Sequence, residues 1–410
     1  MSRQKNILKN IVSDTLWCTI GLVLMNCVVQ FAVYPIWSRR LGAERYGDIL
    51  YLMSVVNIAA YSVGAANNLA RMKASAEGET KNSPYLAILL TASAVILVPG
   101  FLFGMFGGVK STVTESLLFT ALLVFTTWRY YCEVQYRLNI DYRGYFRFYL
   151  IISAGYLLGT ALYFVTGLWP VALLPGEAAC ILLIRKTGSI LRWDGRAGRE
   201  ELSGTLRAVS VLFCSMLLSD LIMNSDRILL KLFIGGTSVT IYYLASLLGK
   251  TVTLITKPLN SVILGYLAKY KGTLTLRFMH LVTLASLAAC LAATVCCTVG
   301  SHILIRILYP QSYEAAKSYF VIGNLAQIFC FAAGVVGTIL LRFTQTKCQI
   351  YLNGAYAAAF VVLCIPGTRM FGFDGFCVAM LMTGFVRYIT AIILGYRQAA
   401  KNTDPGSERK

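Results

Sequence analysis

Charged side chains inside long apolar segments are the residues of this sequence whose type and spacing suggest chemistry. Lys250 and Lys257 lie seven residues apart in one such segment, and Arg387 lies in another. Residues seven apart share one face of a helix, so the two lysines are expected to point the same way. A Lys or Arg at the centre of a bilayer costs about 2.5–3.5 kcal/mol on insertion scales, so each needs a partner or a water-filled cavity. The alternatives for each are snorkelling to the interface and a structural ion pair.

Two more cations stand at the ends of apolar segments. Arg39 closes the first segment, and Arg71 follows the second. A cavity lined by Arg and Lys suits an anion, phosphate above all, because a guanidinium pairs with phosphate in a bidentate manner. We therefore predict a substrate-binding set of cavity cations: Arg39, Arg71, Lys250, Lys257 and Arg387.

Three acids accompany these cations. Glu177 follows Pro175 and Gly176 in a short sixth apolar segment, and Asp220 and Asp226 lie on or at the end of the seventh. Pro and Gly together are expected to break or loosen a helix in the middle of this sixth segment, and broken helices are typical of transporter sites. The acids are expected either to bind a coupling ion or to pair with the basic residues.

Signatures of catalysis and of metal or cofactor binding are missing from the sequence. Gly249, Lys250 and Thr251 imitate the end of a phosphate-binding loop, but position 244 is Leu where that motif needs Gly. The 12 cysteines form no C-x-x-C pair, and there are only 2 histidines. We predict no catalytic residues, no metal and no cofactor. Short outer loops argue against a membrane glycosyltransferase or polymerase, which remains the enzyme alternative.

The elements that must hold these residues are transmembrane helices. The chain has 410 residues, of which 57% are hydrophobic and 13% charged, whereas soluble domains carry about 25% charged residues. Its apolar stretches approach the ~20 residues that a helix needs to cross a bilayer. The predicted fold is therefore all-α and polytopic, with about twelve spans at residues 11–37, 48–66, 84–108, 112–128, 148–167, 169–185, 206–225, 239–264, 277–300, 318–341, 349–366 and 375–396.

The distribution of positive charge predicts orientation and organisation. If both termini are cytoplasmic, 25 of the 37 Lys and Arg residues fall in tails and loops on that side and 9 on the other. The positive-inside rule favours this topology. The net charge of +19 then reflects topology and not a nucleic-acid partner. The polar segment 187–205 is expected to be a cytoplasmic linker between an N-terminal six-helix bundle (1–186) and a C-terminal bundle with a short tail (206–410).

Three segments together resemble one family of membrane transporters. PIWSRRLGAERYG at residues 35–47 resembles the first outer loop of the polysaccharide flippases, where an L-G-x-x-x-Y-G step recurs. NSDRILL at residues 224–230, followed by Gly235 and Tyr242, resembles the start of their second half. ILYPQSYEAA at residues 307–316 resembles the loop before their tenth helix, although the family more often has Phe-Gly where this chain has Tyr309-Pro310. The matches are spread over both halves of the chain.

The resemblance implies membership of the multidrug/oligosaccharidyl-lipid/polysaccharide exporter superfamily, with two six-helix bundles in a V around a central cavity. It implies an oligosaccharide linked to undecaprenyl pyrophosphate as substrate, moved across the bacterial cytoplasmic membrane for O-antigen, capsule or related polymers. Membrane lipids, H⁺ or Na⁺ and a polysaccharide polymerase are the implied partners. Ending after twelve helices departs from the fourteen-helix members that carry lipid II. The alternatives are a multidrug or cation antiporter of the same superfamily and, ranked lower, a major-facilitator transporter.

Overall fold

A computed structural model describes residues 16–78, 80–195, 197–269, 274–343 and 347–403, without the side chains of 253–269, 341–342, 347–350 and 403. Among those residues the regular secondary structure is entirely helical. The main helices are α1 (residues 16–41), α2 (residues 43–77), α3 (Ser83–Phe106), α4 (Val113–Cys132), α5 (Tyr142–Thr166), α6 (Leu174–Thr187), α7 (Arg199–Phe233), α8 (Gly236–Lys269), α9 (Leu276–Leu308), α10 (Phe320–Phe343), α11 (residues 347–371) and α12 (residues 373–403). Each overlaps one predicted span, so the all-α polytopic fold is confirmed.

Short helical turns accompany the main helices. Val134–Leu138 continues from α4, and Pro310–Ala316 precedes α10. A 3₁₀ turn, Trp169–Ala172, stands before α6, so Pro175 lies in the first turn of α6, where proline is well tolerated. The sequence predicted a break in the middle of the sixth span, and the structure has this 3₁₀ turn followed by a new helix.

Two glycines divide what would otherwise be very long helices. Leu16–Glu77 is one helical stretch of 62 residues, interrupted at Gly42, where φ is 77° and ψ is 171°. Gly372 interrupts the helix in the same way between α11 and α12, with φ 61° and ψ −138°. A residue with a Cβ is strained at such angles, whereas glycine adopts them freely. The loops predicted around residues 38–47 and 367–374 are therefore sharp kinks and not extended loops.

The described helices have the length and surface of membrane spans. Seven helical stretches are long and apolar enough to cross a bilayer by length and composition, and two of them join a pair of main helices across Gly42 or Gly372. On α9 large apolar side chains are exposed about every fourth residue, which makes a stripe along one face: Leu284, Leu287, Leu291, Val295, Val299, Ile303 and Ile307. A continuous exposed apolar stripe is unfavourable in water and favourable against lipid. The protein is a multi-span membrane protein.

The chain forms two compact units, one up to Ile228 and one from Leu229. In the first unit α4 packs against α2, α3 and α6, and in the second α10 packs against α8, α9 and α12. Each unit thus has a central helix surrounded by others. The unit boundary falls inside α7, and the two six-helix halves with a linker at 187–205 stay a prediction about the membrane topology.

Candidate functional site

The predicted cavity cations are distributed over both units. Arg39 is exposed at the end of α1, and Arg71 is buried in α2. Lys250 on α8 and Arg387 on α12 are half-buried. The side chain of Lys257 lies outside the described residues.

In the second unit the two described cations lie near the same residue of the central helix. Cys330 of α10 lies within electrostatic range of both Arg387 and Lys250. The three residues come from α8, α10 and α12, which pack together. The unit therefore brings together two of the predicted cations, 137 residues apart in the sequence, on the same group of helices.

Aromatic and amide groups are among the contacts of these two cations. The Lys250 Nζ atom lies 5.8 Å from the centroid of the Tyr242 ring. The Arg387 guanidinium lies 5.2 Å from the centroid of the Tyr356 ring, and its Nη2 donates to Asn353 Oδ1 at 3.1 Å. An aromatic face stabilises a cation without neutralising it. Around Arg387 the described residues offer no carboxylate within ion-pair distance, so the guanidinium of Arg387 remains available to an anion.

The same stretch of α8 explains the resemblance to a phosphate-binding loop. Gly249 lies inside the helix, where its N–H donates to Asn324 Oδ1 of α10 at 2.8 Å. Asn324 is fully buried and also donates to Ser301 Oγ at 3.0 Å. Gly249 therefore serves the close packing of α8 on α10, and no glycine-rich loop precedes Lys250.

Arg71 is a buried guanidinium with few partners. Its Nη2 donates to Asn82 Oδ1 at 3.0 Å, and the guanidinium stacks 5.2 Å from the centroid of the Tyr85 ring. Its Nε and Nη1 atoms are buried without a hydrogen-bond partner among the described residues. Arg71 is 8% exposed. A buried charge is usually paired, so this guanidinium has unused capacity to bind an anion.

A buried ionic network in the first unit was missed by the sequence analysis. Arg129 Nε contacts the two carboxylate oxygens of Glu177 at 3.2 and 2.9 Å, and its Nη1 lies 3.5 Å from Glu133 Oε1. All three residues are at most 4% exposed. Arg137 closes the network with a 3.0 Å bond from its Nη2 to Glu133 Oε2. The two acids and two arginines balance in charge.

Tyrosine hydroxyls of α5 complete the coordination of the two carboxylates. Tyr156 donates to Glu177 Oε1 at 2.6 Å. Tyr149 donates to Glu133 Oε1 at 2.7 Å, and Tyr145 donates to Glu133 Oε2 at 3.1 Å. Of the two roles predicted for Glu177, the structure contains the ion pair, and ion coupling stays a prediction.

Small residues of α5 and α6 position Glu177 against Arg129. Gly155 lies against the backbone of Gly176, and Gly159 lies against the carbonyls of Val171 and Ala172. A Cβ at either glycine of α5 would collide with this backbone. The pair of glycines four residues apart therefore allows α6 to approach closely and places its first turn beside α4.

The signal for this network was a spacing of four residues. Arg129, Glu133 and Arg137 recur at the helical interval, in a polar stretch that was assigned to the loop after the fourth span. The structure continues α4 to Cys132 and adds a further turn, so all three charges face one way.

The remaining predicted acids lie on α7. The carboxylate of Asp220 accepts from Ser62 Oγ of α2 at 3.0 Å. Asp226 is buried, and its Oδ1 accepts from the Arg227 backbone N–H at 2.9 Å. Asp226 belongs to the first unit with Glu177 and Asp220. Within the described part of the chain no group of three or more His, Cys, Asp or Glu residues is arranged to hold a metal ion.

Comparison with known proteins gives no family by sequence and a clear likeness by structure. No family model and no curated protein matches the chain. An inward-facing multidrug resistance MATE family transporter of the MOP superfamily superposes with a TM-score of 0.70 at 14% identity, covering 94% of this chain and 100% of that one. The lipid II flippase MurJ, in an inward closed conformation, gives 0.70 at 13% identity, with 96% and 90% covered. The Vibrio cholerae MATE transporter VcmN in the bent form gives 0.55 at 13%, with 98% and 99% covered.

At these identities the likeness establishes the fold. Both lines of neighbours are transport proteins by their names, and the matches span nearly the whole of each chain. The protein is a multi-span, all-α membrane protein with the transporter fold shared by MATE proteins and MurJ.

Proposed function

We propose that the protein is a flippase for polysaccharide biosynthesis. It moves an oligosaccharide linked to undecaprenyl pyrophosphate across the bacterial cytoplasmic membrane by alternating access, and both its termini are cytoplasmic. The observation that carries this proposal is the positive region around Cys330, where Lys250 and Arg387 contact aromatic rings and an amide. A pyrophosphate is a dense anion, and such a region favours it over a cationic drug.

The proposed cycle assigns each part of the substrate to a different environment. Over the course of the cycle, members of the predicted set of cations bind the pyrophosphate: Arg39, Arg71, Lys250, Lys257 and Arg387. The sugars occupy an aqueous cavity, because burying their hydroxyl groups in hydrocarbon without partners is costly. The lipid tail stays in the bilayer and passes between helices. H⁺ or Na⁺ drives the cycle, with Glu177, Asp220 and Asp226 either binding that ion or pairing with the cations.

The second candidate is a multidrug or cation antiporter. The observation that favours it is the likeness to a multidrug resistance MATE family transporter, which is as strong as that to the lipid II flippase. The two candidates differ in the charge that they need around the substrate. A cationic drug requires acids, so the positive region in the second unit favours the flippase.

The deciding experiment compares cells with and without the gene. In cells lacking it we expect an undecaprenyl-pyrophosphate glycan to accumulate on the cytoplasmic leaflet and surface polysaccharide to disappear. Lys250→Ala and Arg387→Ala variants should fail to restore the polymer although they reach the membrane in normal amounts. Arg306→Ala, which removes an exposed cation of α9, is the matched control and should restore it. Unchanged lipid-linked sugars with altered sensitivity to cationic drugs would favour the antiporter.

A further inference from the structure

The N-terminus of α3 holds a bound carboxylate from a distant loop. Asp194 accepts hydrogen bonds from the backbone N–H groups of Asn82 and Ser83, at 2.5 and 2.9 Å. Burial acts to raise the pKa of Asp194, but these hydrogen bonds act the other way and lower it, so the group is anionic at neutral pH. A helix N-terminus favours negative charge, and here the chain supplies its own.

The same loop is held at two further points. The Asn82 Nδ2 atom donates to the carbonyls of Ser189 and Arg192 at 3.1 and 3.3 Å. Gln135 Oε1 accepts from the backbone N–H groups of Ser189 and Ile190 at 3.0 and 3.2 Å. Residues 188–194 are thus fastened across the start of α3 and the turn after α4.

Next to this loop lies the guanidinium of Arg71, which has hydrogen-bond donors unpaired within the described residues. It reaches the α3 N-cap through its bond to Asn82 Oδ1, and its Nε and Nη1 atoms have no partner among the described residues. One buried hydroxyl nearby, Tyr131 Oη, also lacks a partner in the described part of the chain. Tyr131 lies within electrostatic range of both Arg71 and Asp194. Together these donors suit the oxygens of a phosphate group.

An apolar cleft begins one helical turn from this cluster. It has a volume of about 370 Å³ and lies between α2, α3 and α7, lined by Val63, Ala87, Thr91, Val95, Leu206 and Phe213 among others. Ala87 is four residues beyond Ser83, which is about 6 Å along the axis of α3. Apolar cavities of about 150 Å³ hold benzene, so this cleft has room for a longer hydrocarbon segment.

We propose that Arg71 and the α2–α3–α7 cleft form one binding site for a lipid phosphate, with the phosphate on Arg71 and the apolar chain in the cleft. Asp194 competes with the phosphate because it places a negative charge at the same helix end. The inference rests on the proposed function only for the isoprenoid nature of the chain. It names where a phosphorylated lipid first binds in the N-terminal unit, apart from the positive region around Cys330.

The test uses the purified full-length protein in a non-ionic detergent and three probes. Farnesyl pyrophosphate has both the head and a chain, inorganic pyrophosphate has the head alone, and farnesol has the chain alone. Binding is measured by titration calorimetry. We expect farnesyl pyrophosphate to bind at least tenfold more tightly than either part. Equal affinity for inorganic pyrophosphate would assign the site to free phosphate compounds and overturn the lipid assignment.

Four variants separate the two parts of the site. Arg71→Gln should weaken both phosphate probes at least tenfold, whereas Lys73→Gln, which removes an exposed cation two residues away, should change nothing. Val95→Trp fills the cleft and should weaken farnesyl pyrophosphate while leaving inorganic pyrophosphate unaffected. Asp194→Asn, at an exposed position, should bind both phosphate probes several-fold more tightly.

Results that contradict these expectations distinguish failure of the lipid-phosphate site from failure of the proposed function. If Arg71→Gln does not fold, Asp194→Asn still tests the electrostatics, and unchanged or weaker phosphate binding in that variant overturns the proposal. None of these measurements involves transport. If the protein acts as a flippase in cells but fails these binding tests, only the lipid-phosphate site is refuted. If the protein passes the binding tests but its absence leaves the polysaccharide of cells unchanged, only the proposed flippase function is refuted.

Discussion

The ionic network around Arg129 is balanced in charge, which indicates a role in stabilising the fold. Glu133 and Glu177 oppose Arg129 and Arg137, and tyrosine hydroxyls of α5 donate to three of the same carboxylate oxygens. A buried ion pair adds little net stability compared with well-packed apolar groups, but loss of one partner leaves an uncompensated buried charge. The network therefore makes the fold depend on each of its members.

Replacing Glu177 by Gln tests this dependence at the scale of one residue. The substitution keeps the shape of the side chain but leaves the Arg129 guanidinium with Glu133 alone. We expect the free energy of unfolding to fall by about 3–5 kcal/mol, measured by unfolding in detergent. Glu200→Gln, on the exposed first turn of α7, is the matched control and should stay within about 0.5 kcal/mol. Equal stability of the two variants would contradict the network's role.

At this scale the sequence drew attention to some charged positions, whose role in binding stays a prediction, and missed others. Lys250 and Arg387 are conspicuous because each interrupts an apolar run, and insertion costs make such residues informative. Arg129 and Glu133 lie in RYYCEVQYR, which has the polarity of a loop, and their burial comes from partners on α5 and α6. A partner such as Glu177, 48 residues away, is not visible in the local pattern.

The helices themselves were the most predictable feature of the chain. Spans of about 20 apolar residues follow directly from bilayer thickness, and every described main helix coincides with one. The sequence did not predict the form of the connections at Gly42 and Gly372. Polar residues flank both glycines and indicated loops, whereas the helical hydrogen bonding resumes directly after a single residue with positive φ.

The contact between α5 and α6 gives a prediction at the scale of the element. Gly155→Ala would place a methyl group on the backbone of Gly176. We expect overpacking to cost about 1–3 kcal/mol and to loosen the Arg129–Glu177 pair, measured by thermal unfolding in detergent. The matched control is Gly204→Ala in α7, where an added Cβ meets nothing within 4 Å. That change should be neutral or stabilising by up to about 1 kcal/mol, because Ala is the better helix former. Equal destabilisation of the two variants would show that α5 and α6 are not tightly packed.

For the molecule as a whole, the membrane orientation predicted from the positive-inside rule must place the lipid-phosphate site on the cytoplasmic side. If the termini are cytoplasmic, the α2–α3 turn and residues 188–194 face the cytoplasm too, since an even number of spans separates each from the termini. A lipid-linked precursor made in the cytoplasm would then meet Arg71 at the leaflet where it is assembled. The opposite orientation would place this site on the outer side, where a substrate for export would not bind first.

Reporter fusions test that requirement. Alkaline phosphatase joined after residue 403 should be inactive and green fluorescent protein at the same place fluorescent, because the former works only outside the cytoplasm and the latter folds inside it. The matched control is alkaline phosphatase joined after Lys110, between α3 and α4, which should be active. In this topology 25 of the 37 Lys and Arg residues lie on the cytoplasmic side and 9 on the other, and this difference favours the expected orientation. An active phosphatase at residue 403 would reverse the topology and, with it, the proposal that Arg71 receives a lipid phosphate from the cytoplasmic leaflet.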